Sequence, residues 1–293
     1  MIKRDSLEYR NIKQEILKLS GVVPMEQFDV KAAIRDRIDY IKNYIKKTGM
    51  KGIVLGISGG VDSTAAGKMA QLAMTELSEE GYQASFISMR LPYKNQRDEF
   101  AAQEAIKFIS PDYNITNDIW VGTDTIFHSV LSSLYSVSIN MPTVCSEDFA
   151  KGNVKARMRM ISQYTVAGLH GCLVLGTDHN AESITGFYTK HGDGACDFTV
   201  LNGLNKRQVR ACAKELGASE LLWNKVAIAD LEEDKPQVDD EIALGFKYDD
   251  IDDFLEGKEI DLDVEEKIVN QYYKTMHKRT MPLGFSKLNL GRK

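Results

Sequence analysis

An alternation of short apolar runs with helical patterns is the feature that most constrains the fold of this chain. Residues 52–57 form an apolar run typical of a strand buried on both faces, and a helical pattern at 63–79 follows a glycine-rich segment. Further strand patterns lie at 84–91, 115–121 and 172–176, and further helical patterns lie at 95–109, 123–135 and 146–168. The alternation predicts a doubly wound α/β fold, with a mainly parallel sheet flanked by helices.

Helical patterns at 5–19 and 29–47, and short ones that continue to about residue 280, predict extra helices at both ends of the chain. We find no pattern typical of a flexible linker, so we expect residues 1–293 to form a single domain. With 43% hydrophobic residues among its 293, the chain can bury a large core.

Charge and cysteine content argue against several classes of function. Lys and Arg total 37 against 42 Asp and Glu, so the net charge of -5 gives no general attraction to nucleic acid or to an anionic membrane. The four cysteines include no C-x-x-C pair, which argues against a zinc ribbon or a disulfide framework and favours a reducing cytoplasm. We expect no membrane partner either, because no stretch approaches the ~20 apolar residues of a membrane span.

The most specific motif runs from Gly56 to Thr64 and reads G-I-S-G-G-V-D-S-T between a predicted strand and a predicted helix. Its glycines let backbone N–H groups converge on an anion, and the helix that follows adds unpaired N–H donors. Ser58 and Ser63 can donate to phosphate oxygens, and Asp62 suits a Mg²⁺ ion placed between protein and phosphate. The ordinary alternative is a strand-to-helix turn in which Asp62 only caps the helix.

The motif differs from two common nucleotide-binding loops, because it has neither the G-K-[S/T] ending of a Walker A sequence nor the pattern G-x-G-x-x-G. It resembles the S-G-G-x-D-S signature of the ATP pyrophosphatase, or PP-loop, superfamily. The resemblance implies that ATP is cut between its α and β phosphates and that an oxygen of the substrate becomes adenylylated.

A second polar cluster starts at Gly176, where a predicted strand ends and where open α/β sheets bind ligands. Thr177 can reach a phosphate or a ribose, and Glu182 can supply a second carboxylate to a metal. Lys190 and Asp197 flank a Gly-Asp-Gly turn. A solvated loop is the ordinary alternative for these residues.

The glycine loop is followed by the blocks M-R-L-P-Y, G-N-V-K-A-R-M-R, G-T-D-H-N-A-E-S-I-T-G-F, A-D-L-E-E-D-K-P, Y-D-D-I-D-D-F-L-E-G-K and K-T-M-H-K-R. The blocks and their order resemble those of bacterial NAD synthetases. The resemblance implies an adenine nucleotide alpha hydrolase-like fold, a homodimer, and an ATP-dependent amide-forming ligase that uses Mg²⁺. It also implies deamido-NAD and ATP as substrates. Free ammonia is the expected nitrogen donor, because a chain of this length has no room for the glutaminase domain of glutamine-dependent members.

The family pattern implies a role for each matching residue. The ATP-binding positions are Gly56, Ile57, Ser58, Gly59, Gly60, Val61, Asp62, Ser63, Thr177 and Lys206. The Mg²⁺ ligands are Asp62 and Glu182, and the positions that bind deamido-NAD are Arg157, Lys190, Asp197, His277 and Lys278. The positions assigned to catalysis are Asp62, Lys206 and Asp197, the last to orient ammonium or accept its proton. Ordinary alternatives are a salt bridge for Lys206, a substrate hydrogen bond for Asp197, and a solvated helix end for His277 and Lys278.

Two departures from the family pattern affect the predicted site. Ile228 occupies the position of an ATP-contacting threonine, and the loss of one neutral hydrogen bond, about 0.5–1.5 kcal/mol, predicts weaker ATP binding. Residues 198–203 lack the proline, the aromatic residue and the arginine of the family pattern, with Gly203 in place of the arginine. These changes bear on loop rigidity and substrate fit.

Two other functions stay open from the residues. One is a different PP-loop ligase that forms amides or thiolates tRNA, although the cysteine pair, the basic face or the glutaminase domain of such enzymes is not visible. The other is a nucleotide sensor that keeps the loop with weakened catalysis. The combination of Glu182, Lys190, Asp197 and Lys206 favours an enzyme.

Overall fold

A computed structural model describes residues 2, 4, 6–94, 98–137, 139, 142–226, 228–229, 232–233, 238–280 and 282, with side chains at all of these except 228, 229, 238 and 239. The strands are β1 Gly52–Gly56, β2 Ser85–Arg90, β3 Tyr113–Thr116, β4 Leu173–Gly176, β5 Phe198–Thr199, β6 Ile228–Ala229 and β7 Val238–Asp239. The helices are α1 Leu7–Ser20, α2 Val30–Thr48, α3 Val61–Glu79, α4 Glu99–Ile109, α5 Trp120–Tyr135, α6 Glu147–His170, α7 Asn180–Thr185, α8 Lys206–Glu215, α9 Glu220–Trp223, α10 Asp240–Leu244, α11 Tyr248–Leu255, α12 Leu262–Lys274 and α13 Met276–Arg279.

A parallel sheet with the strand order β3-β2-β1-β4-β5 is the centre of the fold. Helix α3 connects β1 to β2 and α4 connects β2 to β3, so the first three strands progress toward one edge. Helices α5 and α6 then return the chain to the other side of β1, where β4 pairs with it. The strand order therefore reverses between β1 and β4, and the loops that follow these strands leave a crevice. The predicted doubly wound α/β fold is confirmed.

Strand β1 is covered on both faces. Ile53 and Leu55 are buried in a cluster with side chains of α2, α3 and α8, whereas Val54 is buried in a second cluster with Ala167 of α6. Because successive strand residues point to opposite faces, a strand covered on both sides carries apolar side chains at every position. This is why residues 52–57 form an uninterrupted apolar run.

Helix α2 confirms the pattern predicted at 29–47. Asp29 caps its first turn by accepting a hydrogen bond from the backbone N–H of Ala32 at 3.0 Å, and Gly49 ends it with a φ of +71°. The isoleucines at spacings of three and four lie on its buried side, namely Ile34, Ile38, Ile41 and Ile45.

The expected extra helices at the two ends of the chain pack against each other. Tyr9, Ile12 and Ile16 of α1 are buried in one cluster with apolar side chains of α11 and α12, among them Ile251 and Ile268. The same cluster includes Ala181 and Ile184 of α7. The terminal helices are thereby attached to the helix that follows β4.

The strand predicted at 115–121 is wrong beyond Thr116, where β3 ends. Asp118 accepts a hydrogen bond from the backbone N–H of Trp120 at 2.7 Å, and such a contact two residues along the chain forms a turn. Helix α5 then starts at Trp120. The apolar stretch at 119–121 is so short that its pattern suits a helix as well as a strand. No pattern predicts the two-residue strand β5.

None of the described helices is long and apolar enough to cross a bilayer.

Candidate active site

The glycine loop joins β1 to α3 at the point where the strand order reverses. Gly59 has a φ of +80°, and a Cβ at this position would lie 2.6 Å from the backbone nitrogen of Ala102 in α4. Only glycine satisfies both the backbone angle and this close approach. The loop therefore packs closely against α4. Its backbone carries no side chains at the two consecutive residues Gly59 and Gly60.

Neighbouring side chains fix the rest of the loop. The backbone N–H of Gly56 donates to Oε1 of Gln163 on α6 at 2.8 Å, and the hydroxyls of Ser58 and Ser63 lie 3.2 Å apart. Gly60 is the N-cap residue of α3, so the first N–H groups of that helix follow the loop directly. This arrangement has the donors that an anion needs.

The loop borders a cavity of about 880 Å³, a volume typical of sites for small molecules. Every loop position predicted to bind ATP or metal lines this cavity except Gly59. The other predicted positions, Thr177, Glu182 and Lys206, line it too. Lys278 also lines it, whereas the other positions predicted to bind the dinucleotide do not. The structure thus brings the ATP and metal positions together.

Lys206 and Asp62 form an ion pair at the cavity wall. Nζ of Lys206 donates to Oδ2 of Asp62 at 2.8 Å and lies 3.8 Å from Oε1 of Glu182, and the Lys206 side chain is 1% exposed. Burial disfavours the ammonium, but the charges of Asp62 and Glu182 outweigh burial and raise the pKa of Lys206. Burial also opposes ionisation of Asp62, yet Lys206 holds the pKa of that carboxyl below its ordinary value. The pair is therefore fully charged.

His179 is a member of this cluster that sequence reasoning missed. Its Nε2 lies 3.2 Å from Nζ of Lys206 and 3.5 Å from carboxylate oxygens of Asp62 and Glu182, and its ring packs edge-on against Tyr248. Burial, followed by the charge of Lys206, lowers the pKa of His179 to about 3, so the ring is neutral. Its spacing of three residues from Glu182 at the start of α7 is the signal that could have identified it.

The cluster fits a divalent metal ion. The ligand atoms of Asp62, His179 and Glu182 all lie within 4.8 Å of one another. Oδ1 of Asp62 is buried and has no hydrogen-bond partner among the described residues. Burial and the charge of Asp62 raise the pKa of Glu182 well above its ordinary value, so a cation between the two carboxyl groups would relieve their repulsion. Oxygen ligands of this kind suit Mg²⁺, as the sequence predicts for Asp62 and Glu182.

A second acidic pair, which the sequence analysis does not assign, lines the same cavity. Burial and the charge of Asp193 raise the pKa of Asp178 to about 7. Asp193 accepts a hydrogen bond from the backbone N–H of Thr189 at 3.0 Å. Both lie in segments that the sequence marks as polar loops, but only their side-chain direction shows that they face the cavity. Asp178 is thus an acid that can change protonation near neutral pH.

Four of the positions predicted to bind the dinucleotide lie close together. Nη2 of Arg157 donates to the backbone oxygen of Lys190 at 3.3 Å, and Nζ of Lys190 donates to the backbone oxygen of His277 at 2.7 Å. Nζ of Lys278 donates to the backbone oxygens of Gly186 and Tyr188 at 2.8 and 2.6 Å. Helix α13 is thereby held against the loop that follows α7.

Asp197, the fifth of these positions, lies elsewhere. It accepts a hydrogen bond from the backbone N–H of Val174 in β4 at 2.7 Å, and the hydroxyl of Tyr164 lies 3.5 Å from it. It lines a separate cavity of about 520 Å³, with residues of α2. The structure therefore does not bring Asp197 into the cavity of Asp62 and Lys206.

Residues 224–238, a stretch rich in charged residues, are described in part. The backbone N–H of Glu233 donates to Asp148 at 2.9 Å, and the carboxylate of Glu233 pairs with Lys151 at 3.0 Å and with Lys155 at 3.3 Å. These contacts hold Glu233 against α6. Ile228 lies in β6, where the side chains are outside the described residues, so its predicted effect on ATP stays a prediction.

Helix α11 holds the start of α8, where Lys206 is the first residue. The two carboxylate oxygens of Asp252 accept the backbone N–H groups of Lys206 at 3.0 Å and of Arg207 at 2.8 Å. Asn205 and Gln208 complete the end of the helix with a reciprocal capping box. Asp252 is 1% exposed, so these contacts define the position from which Lys206 reaches Asp62.

Comparison with known proteins gives concordant matches. The family model described as NAD synthase matches residues 33–282. An NH(3)-dependent NAD(+) synthetase from Psychromonas ingrahamii is 52% identical over 272 residues, which are 92% of this chain and 97% of that protein. The crystal structure of an NAD+ synthetase from Burkholderia pseudomallei has a TM-score of 0.75 and 42% identity, over 94% of this chain and 97% of that one. An NMN synthetase from Francisella tularensis has a TM-score of 0.73 and 28% identity, over 88% and 99%.

Replacing Asp252 with Asn tests the support of α8. The amide nitrogen cannot accept a hydrogen bond, so one of the two buried N–H groups loses its acceptor. We expect the free energy of unfolding, measured by urea denaturation, to fall by about 1–3 kcal/mol. The control is Asp253→Asn, because Asp253 is 35% exposed and pairs with Arg207 and Lys258 near the surface. Equal losses in both variants would contradict the assigned role of Asp252.

Proposed function

The chain belongs to the NAD synthase family, and we propose that it acts as an ammonia-dependent NAD(+) synthetase. The nicotinate carboxylate of deamido-NAD attacks the α phosphate of ATP, pyrophosphate leaves, and ammonia then displaces AMP to give NAD. One observation carries the proposal: the glycine loop and the cluster of Lys206, Asp62 and Glu182 line one cavity in a chain about half identical to synthetases of that name.

The glycine loop and Lys206 supply the contacts that the triphosphate needs. Backbone N–H groups at the start of α3 and the hydroxyls of Ser58 and Ser63 can donate to phosphate oxygens. Lys206 adds a positive charge that Asp62 holds in place. A Mg²⁺ ion held by Asp62 and Glu182 would neutralise charge on the phosphates and on the departing pyrophosphate.

The first step joins two anions, a carboxylate and a triphosphate, which repel each other in solution. Arg90, Arg159 and Lys206 line the cavity and can contact anionic oxygens of the two substrates. Holding the reacting ends of both substrates in this cavity would also replace an encounter of two molecules by reaction within a complex. The acyl-adenylate forms between the substrates, so the protein needs no covalent nucleophile.

In the second step ammonium has to lose a proton before its nitrogen can attack. We assign acceptance of this proton to Asp178, which lines the cavity of Asp62 and Lys206 and whose pKa is raised by burial and by the charge of Asp193. Asp193 lies on the same wall and adds negative charge for a cation. Asp197 lines the other cavity, and we therefore retain it as a binding position for deamido-NAD.

Substrate recognition is proposed for the positions that match the family pattern. Arg157 of α6, Lys190 of the loop after α7, and His277 and Lys278 of α13 form one group around that loop. A dinucleotide is long enough to contact more than one such group. The alternatives, a different PP-loop ligase or a nucleotide sensor, lack a specific observation in their favour, whereas Glu182 and Lys206 line one cavity with the glycine loop.

A homodimer is proposed from exposed apolar side chains on α5 and α6. On α5 these include Val121 and Val130, which are 68% and 61% exposed, and on α6 they include Ile161 and Leu169, which are 46% and 77% exposed. Apolar residues grouped on adjacent helices favour burial against a partner. A second copy of the chain is the proposed partner. The cytoplasmic location inferred from the four cysteines stays a prediction.

Product analysis tests the function. Purified protein is incubated with deamido-NAD, ATP, Mg²⁺ and an ammonium salt, and the products are separated by chromatography. We expect NAD, AMP and pyrophosphate in equal amounts, with glutamine a poor replacement for ammonium. Nicotinate mononucleotide serves as a competing substrate. Preferential amidation of that mononucleotide, or ATP binding without any product, would reject the proposal.

Substitution Asp62→Asn tests the metal site. The amide keeps the size of the side chain but removes a negative charge from the position that faces Glu182 and Lys206. We expect turnover to fall by at least about a hundredfold, comparable to losses on removing an electrostatic contact from an active site. Mn²⁺ binding, followed by electron paramagnetic resonance without ATP, should weaken as well. Unchanged Mn²⁺ affinity would remove Asp62 from the ligand set.

Substitution Val130→Asp tests the dimer. A charge on the exposed side of α5 should prevent burial against a second copy, so light scattering after gel filtration should report a monomer where the unchanged protein is a dimer. Leu7→Asp is the control, because Leu7 is 69% exposed on α1 and lies outside the proposed surface. A monomer in the unchanged protein would reject the dimer itself.

A further inference from the structure

The ammonium of Lys206 contacts two buried side chains besides its carboxylate partners, those of His179 and Tyr248. Nε2 of His179 lies 3.2 Å from Nζ of Lys206, and the same Nζ lies 4.9 Å from the ring centroid of Tyr248. His179 is 0% exposed and Tyr248 is 3% exposed, and neither of them lines the cavity that Lys206 lines. Both side chains therefore lie where they can contact the ammonium but not a nucleotide in the cavity.

The contact between His179 and Lys206 has only one possible direction. An ammonium donates hydrogen bonds and accepts none, so Nε2 has to be the acceptor and the ring proton is on Nδ1. Nδ1 is buried without a hydrogen-bond partner among the described residues. An unsatisfied buried N–H costs free energy, so the ring is better explained by the bond at Nε2 than by a contribution to stability.

Backbone contacts fix the segment that carries His179. The backbone N–H of Asn180 donates to the backbone oxygen of Leu204 at 2.8 Å, and Oδ1 of Asn180 accepts the N–H of Gly203 at 2.8 Å. These bonds join the start of α7 to the residues just before α8, and Lys206 is the first residue of α8. The two side chains therefore start from backbone segments that are bonded to each other.

Tyr248 is held at both its hydroxyl and its backbone. The hydroxyl donates to Oδ2 of Asp240 at 3.1 Å, and the backbone N–H donates to Oε1 of Glu241 at 2.9 Å. An aromatic face within about 6 Å of an ammonium attracts its positive charge. The ring therefore stabilises the ammonium of Lys206 without using one of its N–H bonds.

The N–H bonds of Lys206 have different partners. One is donated to Oδ2 of Asp62 at 2.8 Å, and a second is directed at Nε2 of His179. Oε1 of Glu182 is more distant, at 3.8 Å from Nζ, so the third N–H is available to an oxygen in the cavity. Because a lysine stem is flexible, contacts that hold its ammonium favour the orientation in which this N–H meets a substrate.

We propose that His179 and Tyr248 are positioning residues for the reaction with ATP. The imidazole accepts one N–H of Lys206, the phenol ring faces its charge, and the remaining N–H is thereby directed at a phosphate oxygen of ATP. His179 is then not a metal ligand, because its one accepting nitrogen is used by Lys206. The inference rests on the proposed function, in which Lys206 contacts the triphosphate.

Steady-state kinetics of His179→Leu and His179→Gln test the hydrogen bond. We expect kcat to fall about tenfold to a hundredfold in His179→Leu, as for other residues that orient a group in contact with the substrate, with the KM for deamido-NAD unchanged. The amide oxygen of glutamine can accept in place of Nε2, so His179→Gln should recover most of the loss. Binding of Mn²⁺ without ATP, followed by electron paramagnetic resonance, should be as strong in both variants as in the unchanged protein.

Tyr248→Leu and Tyr248→Phe test the ring. Leucine removes the aromatic face, so kcat should fall about fivefold to thirtyfold, whereas phenylalanine keeps the face and should cause a much smaller loss. The control is Tyr9→Leu, because Tyr9 is a buried tyrosine of the same apolar cluster but does not line the cavity. Tyr9→Leu should lower the melting temperature and leave kcat unchanged.

Three results would overturn the inference. The first is an unchanged kcat in either His179→Leu or Tyr248→Leu. The second is weaker Mn²⁺ binding in both His179 variants, or a nitrogen coupling of bound Mn²⁺ that is lost in both, because either makes His179 a metal ligand. The third is an equal loss of kcat in Tyr9→Leu, because that result indicates a general effect of packing. If the unchanged protein makes no NAD, the proposed function itself fails.

Discussion

The ion pair between Lys206 and Asp62 is the interaction on which the arrangement of the cavity depends. It joins residues 144 positions apart, one at the end of the glycine loop and the other at the start of α8. Neither charge is stable alone at such a buried position, since removal of one partner leaves the other uncompensated. The pair therefore requires that β1, α3 and α8 be packed together, and the carboxylate of Asp252 completes the arrangement by holding the backbone of α8.

Most of the architecture follows from local patterns. The apolar run at 52–57 identifies a strand covered on both faces, and the isoleucine spacing in α2 identifies a helix with one buried side. Patterns of this kind do not decide the short segments. Residues 119–121 are apolar and suit a strand as well as a helix, and the hydrogen bond from Trp120 to Asp118 decides between them. Strand β5 is only two residues long, too short for any period to appear.

The candidate site was predictable where several polar residues follow a strand end. Asp62, Glu182 and Lys206 match a known motif order, and they meet in the folded chain. His179 lies three residues before Glu182, a spacing that could have identified it. Asp178 lies beside Thr177, but a lone side chain carries no signal of the direction in which it points. The same limit explains Asp197, since its neighbours in the chain do not reveal that it faces the second cavity rather than the first.

The packing of α1 against α11 and α12 has a consequence for the biogenesis of the protein. Tyr9, Ile12 and Ile16 are synthesised long before Ile251 and Ile268, which cover them. Until α11 and α12 follow, the apolar side of α1 lacks these native partners, and such surfaces promote aggregation. Chaperones that bind short apolar segments of nascent chains are therefore expected to recognise this helix before any other part of the terminal helices forms.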